Sequence, residues 1–171
     1  MASALVASCR CGRVVLEATG APIVASVCYC DSCQRGGRLL QEVAGSLAVV
    51  GPDGGTEYVL YRKDRVRLTH GGELLEERRL VPESPTRRVR ATCCSSPMFL
   101  DMTKGHWLSI YRGRFRHDAP PTEMRVMTKH RPAGVELAGD IPSYAAYSGK
   151  LMWRLLGARI AMGPRVPKVG Y

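Results

Sequence analysis

Cys28-Tyr29-Cys30-Asp31-Ser32-Cys33 sets three thiols in one short stretch. Cys9-Arg10-Cys11-Gly12 sets two in another, and Cys93-Cys94 follow as an adjacent pair. Thiolates at such spacing can meet one tetrahedral zinc, at Zn–S of about 2.3 Å, with little loop-closure cost. The chain has seven cysteines, an odd number, so a complete disulfide framework would strand one thiol. The pattern therefore reads as a zinc protein holding up to two ions. The stretch from Cys28 to Cys33 supplies three ligands and leaves the fourth tetrahedral position empty, which is the arrangement a catalytic zinc needs. Cys9 and Cys11 must recruit further ligands from far along the chain, and Cys93 and Cys94 are the cysteines that remain.

Length and composition narrow the class. At 171 residues the chain is one domain with an appended tail, and a hydrophobic share of 45% is enough for a core. No apolar run approaches the length of a membrane-spanning helix. The opening residues lack the basic region and long apolar stretch of a signal peptide, so a cytoplasmic location is expected, where clustered thiols stay reduced and bind metal. The formal charge of +10 attracts anions, including nucleic acid. The arginines are scattered from Arg62 to Arg116, however, and aromatics make up only 6%. With no basic tract and no ring-rich strand, nucleic acid is not the expected partner.

Between the cysteine motifs the sequence reads as short strands. Val14 to Ala18, Ile23 to Val27, Glu57 to Tyr61, Arg65 to Thr69, Arg87 to Thr92 and Trp107 to Tyr111 carry β-branched or alternating patterns. Another strand is expected between Gln41 and Val50. Gly71-Gly72 suits a two-residue hairpin loop into Glu73–Leu80, a segment that fits strand or helix. These elements place a zinc-binding β domain at 1–116. Residues 117–171 form an extension, with a linker around Pro120-Pro121 and an amphipathic helix at 143–162. Tyr144, Tyr147, Leu151, Leu155 and Ala158 make one apolar stripe on that helix. It is expected to dock on the β core or on a second copy of the chain; its Lys150, Arg154 and Arg159 also suit a membrane surface.

The order Cys-x-Cys-Gly, then Cys-x-Cys-x-x-Cys, then a distant cysteine pair before Ser-Pro resembles the glutathione-dependent formaldehyde-activating enzymes. The centromere-protein-V-like domains share this order. The resemblance runs from Cys9 to about Arg114. It implies a mainly β fold, a tent of small twisted antiparallel sheets pinned by zinc. It implies a structural zinc at Cys9, Cys11 and Cys94, with Cys93 as the displaced fourth ligand, and a second zinc at Cys28, Cys30 and Cys33. The activity implied is carbon–sulfur lyase chemistry that joins formaldehyde to glutathione. Three positions depart from the family pattern. Ala91 stands where the first cysteine of the last pair is usual, Ser95 where glycine is usual, and Tyr29 where histidine is usual. Neighbouring side chains of an extended segment point to opposite faces, so Cys93 and Cys94 reach one ion together only through a local kink. A water, another residue, a three-coordinate site or a free Cys93 are the alternatives.

Other residues carry less. His70, His106, His117 and His130 are not at ligand spacing, and Arg35 and Arg38 are candidates for holding a substrate carboxylate. Two further classes stand beside the lyase: a non-catalytic zinc-stabilised binding module, and a thiol or metal sensor. A fourth position open to a small thiol such as glutathione favours the enzyme.

Overall fold

The structure is a computed structural model describing residues 4–171. β1 (Ala4–Ser8) and β2 (Val15–Thr19) pair antiparallel, and β5 (Val66–His70) joins β2 to complete a three-stranded sheet. The second sheet has seven strands. Its order is β10 (Met124–Val126), β3 (Val24–Cys28), β4 (Thr56–Arg62), β9 (Trp107–Tyr111), β8 (Ser96–Met102), β7 (Thr86–Ala91) and β6 (Leu75–Arg78). Helix α1 (Asp31–Gln41) follows β3, and α2 (Gly149–Met162) lies near the C-terminus. The fold is mainly β with a C-terminal helix, as the sequence implied. The sheets are antiparallel except at one edge, where β10 runs parallel to β3.

The large sheet is covered on both faces. Val59 and Tyr61 of β4 enter a core with Leu16, Phe99 and Ile110, between the sheets. Tyr58 and Leu60, on the opposite face of the same strand, join Val24, Leu100, Met124 and Leu151 of α2. That two-sided burial is why β4 reads as a nearly continuous apolar run rather than an alternation. Each fully buried aliphatic side chain contributes about 1.5–3 kcal/mol, so the two layers together hold the sheet. Asp101, on β8, sits inside with an exposure of 0%. It meets Lys63 at 2.7 Å, Arg87, and the hydroxyl of Tyr171 at 3.0 Å. Its charge is thereby matched where water does not reach.

Several local expectations differ from the structure. Residues between Gln41 and Val50 form no strand; Val50 makes only an isolated bridge to Thr56. The side chain of Gln41 accepts from the amides of Val49 and Val50, at 3.4 and 3.1 Å, taking donors that a strand would use. β5 and β6 are not a hairpin. Gly71, at φ +71°, starts a 3-10 turn that passes the chain from the small sheet to the large one. A Cβ there would come within 2.3 Å of the Arg13 carbonyl. Helix α2 begins at Gly149 rather than at residue 143, because Ser148 caps it by accepting from the Leu151 amide at 3.1 Å. The preceding residues pass beside β10, with Arg125 and Ser143 bridged in parallel, and bend at 145–146 before the helix.

Candidate metal centres

Two turns at one end of the molecule bring together the first and last cysteine motifs. The β1–β2 connection carries Cys9 and Cys11, and the β7–β8 connection carries Cys93 and Cys94. Their four Sγ atoms lie within 4.8 Å of one another. Cys9 is 3.5 Å from Cys11 and 3.8 Å from Cys93, while Cys11 and Cys93 are 3.3 Å apart. A tetrahedral zinc at about 2.3 Å from each sulfur sets its ligands about 3.8 Å apart, so the donor set fits that ion. Residues 92–95 form a turn rather than extended strand, and this turn supplies the kink that lets both adjacent cysteines face one point. The Val14 amide donates to Cys9 Sγ at 3.3 Å, and Ser96 Oγ lies 3.1 Å from Cys94 Sγ. Burial opposes charge on Cys94, yet the Ser96 hydroxyl and the Cys11 amide and thiol lower its pKa to about 6. Burial and the thiols of Cys11 and Cys9 push Cys93 up to about 12. Four cysteines this close form a donor set that could hold a metal ion.

The second cluster sits where β3 passes into α1. Cys28 ends the strand and Cys30 is the N-cap of the helix, its sulfur accepting from the Cys33 amide at 3.4 Å. Cys33 lies in the first turn. All three Sγ atoms fall within 4.8 Å of one another, and no histidine or carboxylate completes the set among the described residues. Extended chain sends Cys28 and Cys30 to one side and Tyr29 to the other. Tyr29 is therefore not in the site; its hydroxyl donates to Asp53 at 2.6 Å and its carbonyl accepts from Gln34 at 2.6 Å. Hydrogen bonds from the Cys28 and Cys33 thiols lower Cys30 to about 2. The same hydrogen bond to Cys30, then that to Cys33 and burial, push Cys28 far up. One thiolate is sheltered by two thiols, a donor set that would lose its protons to a divalent cation.

The N-terminal cysteine motifs also match a known family. Residues 4–48 match the model of the glutathione-dependent formaldehyde-activating enzymes. The match bears out the resemblance read from the cysteine motifs and takes in Cys9, Cys11, Cys28, Cys30 and Cys33. A solved structure of a Rhodobacter sphaeroides protein is similar at 15% identity and a TM-score of 0.48, covering 68% of this chain and 92% of that one. No curated protein matches the sequence.

Beside Cys28, Cys30 and Cys33 opens a cavity of about 360 Å³. Strands β4, β8 and β9 supply Leu60, Leu100 and Trp107 to its wall, and α2 supplies Leu151 and Leu155. Arg88 of β7 also lines it and is only 1% exposed. Its Nη2 donates to the Ser32 carbonyl at 2.8 Å and to the Ser32 hydroxyl at 2.9 Å. Its Nε and Nη1 have no hydrogen-bond partner among the described residues. Arg35 and Arg38 are exposed and do not line the cavity, so the cation beside the thiols comes from β7 instead. Of the histidines, His106 bonds the Leu155 carbonyl at 2.8 Å and His130 pairs with Asp31 at 3.1 Å; none joins a thiol cluster. Arg88 was hidden in the sequence among the alternating arginines of Arg87-Arg88-Val89-Arg90, where nothing distinguishes the inward one.

Proposed function

We propose that Cys28, Cys30 and Cys33 hold a zinc ion at which a thiol is joined to a small aldehyde, or the adduct is broken, in carbon–sulfur lyase chemistry of the glutathione–formaldehyde type. The observation that carries this reading is the set of three thiols, with no fourth protein ligand among the described residues, facing a cavity. Zinc bound there would supply a Lewis acid that favours the thiolate form of a substrate thiol at neutral pH. The side chains do the rest. Three cysteine thiolates carry surplus negative charge, and the buried guanidinium of Arg88 offsets it through the turn that it grips at Ser32. The cavity wall excludes water and holds the carbonyl carbon near the sulfur. The substrate sulfur forms a bond to that carbon, the carbonyl π pair moves to oxygen, and the thiol's proton ends on that oxygen. The reverse step returns the proton and breaks the same bond. Cys9, Cys11, Cys93 and Cys94, enclosing one point with four sulfurs, are assigned to a structural zinc that pins the two turns.

The test is elemental analysis and adduct kinetics on the reduced protein. Two zinc ions per chain are expected from the two clusters, falling to one in Cys30→Ala with loss of thiol–aldehyde turnover. A folded Cys30→Ala protein that keeps both its zinc and its turnover would sink the proposal.

A further inference from the structure

The cavity beside the three thiols has a chemistry that glutathione does not match. Its wall is built chiefly from Leu60, Leu100, Trp107, Leu151 and Leu155, with hydroxyls from Ser26 and Ser109 among the few polar groups. No aspartate or glutamate lines it, and Arg88 is its sole charged residue. Glutathione carries two carboxylates and an ammonium. Seated here, the ammonium would face no carboxylate and at least one carboxylate would face aliphatic carbon. Placing an ionised group in an apolar environment without a partner is strongly unfavourable. At about 360 Å³ the space is of the size that encloses a small organic ligand, and such sites are mostly apolar with a few placed polar groups.

Helix α2 makes this wall, so the substrate space is partly built by residues that follow the β core. Leu151 is 4% exposed and anchors the helix in the same cluster as Leu60 and Leu100. Arg154 pairs with Glu123 at 2.7 Å, and His106 bonds the Leu155 carbonyl, which fixes the helix over β4 and β9.

Resting on the carbon–sulfur reading of the three-thiol site, we infer that the thiol it takes has an uncharged alkyl or aryl body lying in the cavity between α2 and strands β4, β8 and β9. The sulfur reaches Cys28, Cys30 and Cys33 and the body contacts Trp107 and Leu155. Glutathione is then a poor occupant.

Trp107 reports on the cavity directly. The chain has two tryptophans, and Trp153 is 73% exposed on the outer side of α2, so Trp153→Phe leaves Trp107 as the reporter. The full chain with its bound metal is titrated with benzyl mercaptan and with glutathione while Trp107 emission is followed. Benzyl mercaptan is expected to saturate the signal at a concentration at least tenfold below that of glutathione. Leu155→Glu on α2 and Met102→Glu on β8, each checked for folding by circular dichroism, are expected to weaken benzyl mercaptan at least tenfold and to spare glutathione. Glutathione binding as tightly as benzyl mercaptan, or neither variant changing the preference, overturns the inference. Thiol–aldehyde turnover is measured on the same samples. Preferred binding of benzyl mercaptan without turnover upholds the cavity assignment and overturns the lyase reading, while turnover with glutathione alone does the reverse.

Discussion

Arg88 Nη2 donates to both the carbonyl and the hydroxyl oxygen of Ser32, the residue that lies between the thiols of Cys30 and Cys33. A buried cation on β7 thus holds the turn that carries the three-thiol cluster. Replacing it with Met fills much of the volume but removes both bonds. Hydrogen bonds to charged groups contribute about 1.5–3 kcal/mol each, and release of a buried guanidinium offsets part of that. Arg88→Met is expected to lower stability by about 1–3 kcal/mol in urea titration. It should also weaken metal at Cys28, Cys30 and Cys33 by about tenfold or more in chelator competition, as loss of a ligand-orienting partner does. Metal at the four-thiol cluster should be retained. Unchanged affinity at the three-thiol cluster would show that the grip on Ser32 does not position its sulfurs.

Gly36 in α1 stands against the same arginine. A Cβ at this position would lie 1.7 Å from Arg88 Nε and 2.3 Å from Cζ. Helix propensity favours Ala over Gly by about 1 kcal/mol, and the two effects oppose each other. Overpacking costs about 1–3 kcal/mol, and a buried guanidinium that already holds Ser32 has little freedom to move aside. Gly36→Ala is therefore expected to destabilise the protein in denaturant titration despite its better propensity. A stabilised variant would mean that Arg88 relocates at little cost.

The same pair explains what the sequence concealed. Most of the strands and the three cysteine motifs were legible because β-branched alternation and thiol spacing are local properties, whereas β1, β8 and β10 were not read and the strand expected between Gln41 and Val50 did not form. Helix α1 was not, since Gly36-Gly37 lowers its propensity and Cys30 is an unusual N-cap. Both glycines are there for close approach: Arg88 occupies the space beside Gly36, and Val50 Cγ2 lies 2.4 Å from a Cβ at Gly37. The Gly71-Gly72 turn was legible, but turn chemistry does not say that its two flanking strands enter different sheets. The meeting of Cys93 with Cys94 depends on the turn at residues 92–95, which includes Ser95 at φ +55°, a conformation that a serine does not announce. The cavity is built from six strands, α1 and α2, and no local pattern contains it.

His106 ties α2 to the strands in a pH-dependent way. Burial lowers its pKa below the ordinary value of 6.5, against the raising effect of its bond to the Leu155 carbonyl. A base whose folded-state pKa is depressed contributes stability that is complete above its unfolded pKa. That contribution is lost as pH falls through the folded-state value. Thermal stability is thus expected to decline as pH drops below 6.5, with Trp107 emission changing alongside because its ring packs edge-on to His106 at 4.8 Å. His106→Gln should flatten the slope in this window. A slope unchanged in His106→Gln would assign the acid sensitivity to other groups.

Cys93 and Cys94 provide the sharpest check on the four-thiol cluster, because adjacency in sequence favours one of them acting alone and the structure brings both to the same point. Cys93 approaches Cys11 at 3.3 Å and Cys9 at 3.8 Å, while Cys94 lies 3.9 Å from Cys93 and is held by Ser96. If four sulfurs share one ion, Cys93→Ser and Cys94→Ser should each release metal at a chelator concentration that the unaltered chain withstands. Each should also lower the unfolding midpoint, since metal binding at a structural site is folding free energy. The pair of hairpins joined there, β1–β2 and β7–β8, should lose amide-exchange protection first, around Cys9 and Ser96. A three-coordinate site makes a different prediction. One of the two serine variants would then keep its metal and its midpoint, and that residue would be the free thiol.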